Sequence, residues 1–174
     1  MKQLRETGGS WLLCTPTPES VPALGYVTEW GVERIICVTA STGTVPLLDL
    51  ASAQHAVGEA GQRSSRAGLP EIGPWTSLPT ALGAVREADR TLFVLDELQE
   101  GPDLAEACRG LPAGRIALLV GPRSGFGSPE RAVLRAAKPA ARHISLGPRQ
   151  FSPEAAACAA VVVVQYLTEL APDG

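Results

Sequence analysis

Residues 116–130 read IALLVGPRSGFGSPE, and residues 143–154 read HISLGPRQFSPE. Each segment starts with a short aliphatic run, turns at Gly-Pro-Arg and arrives at Ser-Pro-Glu. The run suits a strand; Gly and Pro break it, Ser caps a helix, Pro fits the first helical turn, and Glu complements the helix dipole. Two such units in succession point to a parallel α/β sheet. Glycine in such a turn lets backbone amides approach a ligand at the carboxyl ends of the strands. Two ordinary βα connections would read the same way, and spacing alone leaves both readings open.

Working outward, branched apolar runs predict further strands over residues 11–14, 34–39 and 91–95, beside those at 116–120 and 143–146. Helices are expected over 21–30, stopped by Gly31, and over 46–67, 79–88, 103–110, 129–137 and 153–170. Regular alternation predicts one α/β domain over residues 11–174 after a tail at 1–10, with a largely parallel sheet covered on both faces. Residues 155–164 are apolar on every side, so that helix should be buried on more than one face. Ten residues fall well short of the ~20 that a membrane span needs.

Composition agrees, since 174 residues with 45% hydrophobic and 19% charged side chains describe a globular domain. The opening MKQLRETGGS has no apolar signal core, which sets a cytoplasmic expectation. Cys14, Cys37, Cys108 and Cys158 form no Cys-x-x-Cys pair, so neither a metal site nor a disulfide framework is expected. The net charge of −3 hides a reversal. Residues 87–106 carry seven acids against Arg90, whereas residues 109–149 carry eight cations against Glu130 alone. That asymmetry fits either a polyanion-facing surface or solvated helix faces. The glycine loops match neither a dinucleotide fingerprint nor a P-loop, and Ser124 lacks the spacing of a hydrolase elbow. His55 and His143 are expected in structural or surface roles.

Taken with their order and separation, LLVGPRSGFGSPE and ISLGPRQFSPEAAACAA resemble the catalytic domain of the 16S ribosomal RNA uridine-N3 methyltransferases, a SPOUT-superfamily group. Their pattern runs L-L-x-G-P-E-G-G-F and then L-G-x-R-I-L-R-x-E-T-A. Upstream, TEWGV at 28–32 resembles the family's T-E-L-G-V, and QRSSR at 62–66 with LPE at 69–71 resembles its E-Q-S-G-R and V-P-E. The resemblance spans residues 10–170. It implies an α/β parallel-sheet SPOUT methyltransferase domain with a C-terminal trefoil knot, a homodimer, S-adenosylmethionine as cofactor and structured ribosomal RNA as partner. Cofactor contacts carry over to Leu95, Val120, Gly121, Gly125, Leu146, Gly147, Arg149 and Phe151. Arg149 and Glu154 carry over as catalytic candidates, and Arg66 and Arg123 as RNA contacts; Glu29 is a weaker candidate.

The chain also departs from the pattern. Arg123 replaces the acid of G-P-E-G-G, Ser124 its first paired glycine, and Ser152 the second Arg of R-I-L-R. The resemblance implies a cofactor held largely by backbone, which would tolerate these changes, whereas methyl transfer would depend on the lost polar groups. A catalytically silent cofactor-binding or scaffold domain is therefore the rival reading. Family members carry an N-terminal PUA-like barrel that is not expected before Trp11, so RNA affinity would come from this domain, a dimer mate or a separate RNA-binding protein. The final helix is expected at the dimer contact through Ala157, Val161 and Val164.

Overall fold

The computed structural model describes residues 8–40, 47–96, 101–111, 114–138 and 140–170. Among them the strands are β1 (Trp11–Cys14), β2 (Arg34–Thr39), β3 (Glu71–Ile72), β4 (Thr76–Ser77), β5 (Thr91–Leu95), β6 (Ile116–Val120) and β7 (Ala141–His143). The helices are α1 (Val21–Glu29), α2 (Leu50–Ser64), α3 (Leu78–Glu87), α4 (Leu104–Ala107), α5 (Ser128–Ala136) and α6 (Pro153–Gln165). A π-helical turn, Tyr166–Leu170, follows α6.

All strand pairs are parallel, in the order β3-β2-β1-β6-β5-β7, with β4 also on β2. The period-two alternation of each strand splits the core into two layers. Leu12, Phe93, Leu95, Ile116, Leu118 and Val120 face α1, α2, α4 and α6. Trp11, Leu13, Leu92, Val94, Ala117 and Leu119 face α3 and α5. Both faces are apolar because both are covered. Burying a side chain such as Phe93 or Leu118 contributes about 2 to 3 kcal/mol.

β6 enters between β1 and β5, and β7 lies beyond β5. The carboxyl ends of β5, β6 and β7 therefore open side by side, the position where parallel sheets place ligands. The expected strand at 143–146 is corrected to Ala141–His143. Ile144 N–H still donates to Val94 O, but beyond it a second backbone claims the hydrogen bonds: Ser145 N–H donates to Pro102 O, and Leu104 N–H donates to Ser145 O. Gly101, at φ +119°, allows this close pass, since a Cβ there would fall onto the His143 carbonyl.

Helix ends follow the caps. Asp49 accepts from Ser52 N–H and starts α2 later than expected, while Ser65 in the left-handed region ends it. Pro46, taken as its first residue, lies outside the described residues. α4 is shorter than the expected 103–110. Ser152 caps α6, accepting from Ala155 N–H at 3.2 Å. In α5, Gly127 takes the cap position and Ser128 becomes the first helical residue.

The face of α6 is also corrected. Ala157, Val161 and Val164, expected at a subunit contact, are buried in the core of this chain. Tyr26, Trp30, Tyr166 and Leu167 are instead the exposed large apolar side chains of α1 and of the end of α6.

Candidate functional site

The strand ends enclose an open cleft of about 200 Å³. Three connections build it: Leu95 and Asp96 after β5, residues 120–123 after β6, and Ile144, Leu146, Gln150 and Phe151 after β7. Pro153 and Ala156 of α6 close one side. Leu95, Val120, Ile144, Leu146, Phe151 and Ala156 give it an apolar side, and Asp96, Arg123 and Gln150 a polar one, a mixture that suits an organic ligand carrying polar groups. Gly121 N–H donates to Leu95 O at 2.9 Å, which aligns the first two connections.

A polar cluster ties all three together. The Asp96 side chain is only 2% exposed and receives Arg131 Nη1–H at 3.2 Å. Arg131 Nε–H donates to Phe126 O at 2.9 Å. His143 Nδ1 lies 3.6 Å from the same carboxylate. One guanidinium thus joins the β5 and β6 connections, and the imidazole adds the end of β7. The sequence offered no sign of this cluster, because Asp96 lies 35 residues before Arg131 and still farther from His143, with no local spacing to join them. His143 thus stands beside a buried acid.

Five of the expected cofactor positions, Leu95, Val120, Gly121, Leu146 and Phe151, line the cleft. Arg123, expected to meet RNA, lines it too. Gly125, Gly147 and Arg149 are not among its lining residues. Gly125 N–H closes the turn from Pro122 O at 2.8 Å. Gly147 sits at φ +101° with nothing within 4 Å of where a Cβ would be, so its turn requires glycine for conformation rather than for space. Arg149 is exposed on the rim of the same connection.

Beside the cleft lies a smaller recess of about 20 Å³, among the ends of β1, α1 and α6. Glu154 lines it; its Oε1 accepts from Ser20 at 3.2 Å, and its Oε2 accepts from Arg123 at 3.3 Å. Arg123 also donates to Glu19 at 3.1 Å. The two loops separated by α5 therefore meet through the Arg123–Glu154 pair. Cys14, on the wall of the recess, has its thiol pushed up chiefly by burial and further by Cys37 and Glu154, so it stays protonated and is no nucleophile at neutral pH.

Arg66 stands elsewhere. Its Nη1 donates to Thr28 O at 2.8 Å and Val32 O at 3.0 Å, tying down the end of α1 at the amino end of β2. Glu29 pairs with Arg63 in the same region. The two upstream motifs thus meet one another at the edge of the sheet opposite the cleft.

The RNA methyltransferase domain family matches residues 22–165. No curated protein matches the sequence. Among solved structures, the putative methyltransferase of Legionella pneumophila in complex with bound SAM is 24% identical, with a TM-score of 0.74 over 92% of this chain and 67% of that one. The ribosomal RNA small subunit methyltransferase E of Neisseria gonorrhoeae, bound to S-adenosyl methionine, is 22% identical, with a TM-score of 0.72 over 93% and 67%. The probable rRNA-methyltransferase of Porphyromonas gingivalis is 18% identical, with a TM-score of 0.75 over 94% and 69%. At these identities the likeness is one of fold, the parallel-sheet α/β type of the knotted SPOUT enzymes. With the family match covering most of its length, the chain belongs to the RNA methyltransferase domain family.

Proposed function

We propose that this chain binds S-adenosylmethionine in the cleft and methylates a base in structured RNA, uridine N3 of small-subunit ribosomal RNA. The observation that carries this is the convergence of three connections on one cleft with an apolar and a polar side, beside a smaller, mainly apolar recess that shares its wall. Leu95, Val120, Leu146 and Phe151 would hold the adenine, and Gly121 would let it lie against backbone. Gly125 and Gly147 would shape the two turns, and Arg149 would reach the ligand or the RNA from the rim. S-adenosylmethionine supplies an electrophilic methyl group. The relatives from Legionella and Neisseria hold this cofactor in the same fold, which supports the assignment.

Arg149 and Glu154 are the proposed catalytic residues, and Arg123 the RNA contact nearest the cleft. Arg66 enters only by holding α1 in place. The exposed Tyr26, Trp30, Tyr166 and Leu167 support a homodimer, since isolated monomers seldom leave such a set uncovered. Among the described residues no helix is long and apolar enough to cross a membrane.

Calorimetry with S-adenosylhomocysteine tests the cofactor, and tritiated-methyl transfer to small-subunit RNA and to whole subunits tests the reaction. Binding with transfer to a uridine base is the expected result. Binding without transfer to either substrate would leave the silent-scaffold reading, and absence of binding would overturn both.

A further inference from the structure

The recess beside the cleft has apolar walls and one carboxylate. Its volume of about 20 Å³ is close to that of a single water site. A space of that size admits one edge of a flat ring rather than the ring itself. Leu12, Leu24, Val120 and Ala157 make its apolar side, with Ser20 and Glu154 on the polar side. Gly121 and Pro153 line both this recess and the cleft, so a group seated here borders whatever the cleft holds.

Glu154 is 18% exposed, and its two oxygens are held by donors from separate elements, Ser20 at 3.2 Å and Arg123 at 3.3 Å. Those bonds fix the carboxylate plane and leave each oxygen a further lone pair. Such an acceptor suits the imino N–H of a pyrimidine or purine. A ribose hydroxyl is far less acidic and would need a stronger base.

We infer that the recess takes the N–H edge of the target base and that Glu154 removes the proton from its nucleophilic nitrogen. This rests on the methyl-transfer reading above. In the step, the nitrogen's proton passes to the Glu154 carboxylate and the freed electron pair forms the N–CH3 bond. The pair of the broken S–CH3 bond remains on sulfur, which becomes a thioether. Ser20 and Arg123 act as positioning residues for the carboxylate.

The test uses the full chain and small-subunit RNA transcripts made with uridine or with 5-fluorouridine, whose N3–H is more acidic. Nucleoside mapping with the unmodified chain first identifies the methylated atom. Glu154→Gln, which preserves shape, is expected to slow transfer to uridine RNA about a hundredfold or more, with 5-fluorouridine RNA recovering about tenfold. Its S-adenosylhomocysteine affinity by calorimetry should stay unchanged. Ser20→Ala should slow uridine RNA more than the fluorinated RNA. Equal losses on both RNAs, or lost homocysteine-product affinity, would make Glu154 a structural brace and overturn the assignment. Methylation of a ribose hydroxyl by the unmodified chain, or none at all, would overturn the underlying reading and this one with it.

Discussion

Replacing Arg131 by Ala removes the residue that joins two of the three connections around the cleft. The hydrogen bonds to Asp96 at 3.2 Å and to Phe126 O at 2.9 Å disappear. A hydrogen bond involving a charged group is worth about 1.5 to 3 kcal/mol. The Arg131 side chain is 25% exposed, so water takes over part of its role, and His143 stays 3.6 Å from Asp96. The expected loss is therefore about 2 to 3 kcal/mol, below the sum of the two bonds. For a chain of this length, that lowers Tm by about 4 to 12 °C. Because the β5 and β6 connections keep Gly121 N–H on Leu95 O but lose their side-chain tie, affinity for S-adenosylhomocysteine should fall about tenfold as the binding-competent arrangement becomes less populated. Arg131→Lys keeps a charge for Asp96 but loses the planar fork that also reaches Phe126, and should fall between the two. Urea unfolding and calorimetry on the same samples check this. A loss under about 0.5 kcal/mol with unchanged affinity would refute the view that this cluster organises the cleft.

Gly147→Ala should cost about 1 to 2 kcal/mol, measured by thermal unfolding, because φ +101° strains any side chain even where space is free. Val161→Ala, inside the core, should lose roughly 1 to 3 kcal/mol in urea unfolding, whereas Ala155→Ser on the exposed side of α6 should change stability by less than about 0.5 kcal/mol. Trp30→Ser with Tyr166→Ser should shift sedimentation from dimer toward monomer at micromolar concentration, and an unmodified chain that sediments as a monomer would remove the proposed interface. Burial pushes the Cys37 and Cys108 thiols up to about 11. In the unfolded chain they titrate near pH 8.5 to 9, so the fold favours their protonated form. The associated stability is complete below that range and is lost as pH rises through about 9 to 11, which urea midpoints across that window will show.

The sheet was legible because its signal is local. Four strands, at 11–14, 34–39, 91–95 and 116–120, have the bounds read from branched apolar runs between Gly, Pro and charged residues. β3 and β4, of two residues each, were not foreseen, since so short a run has no periodicity. β7 was misplaced by two residues for a different reason. Ile144-Ser-Leu146 has the stronger strand composition, but the backbone bonds of Ser145 go to residues 102–104, and Ala141–His143 pairs with β5 in its place. No local pattern reports a competition between two distant partners. The same limit explains α6: an all-apolar sequence shows that several faces are covered, but only the fold shows that Ala157, Val161 and Val164 take the inner one.

The site was legible where backbone and small residues make it, and obscure where side chains meet across the chain. Gly-Pro-Arg marks both loops, and five positions taken from them and from the end of β5 line the cleft. Their charged members could not be paired from sequence, because Arg123 and Glu154 are separated by all of α5 and β7. That pairing changes the meaning of the departures from the family pattern. Position 152 lacks the pattern's Arg, and position 123 carries an Arg where the pattern has an acid. In the folded chain the Arg123 guanidinium lies on Glu154, two residues past the vacated position, and also on Glu19. A cation lost at the start of α6 is thus matched by one arriving there from the neighbouring loop. That placement puts a positively charged donor beside the carboxylate proposed for proton removal.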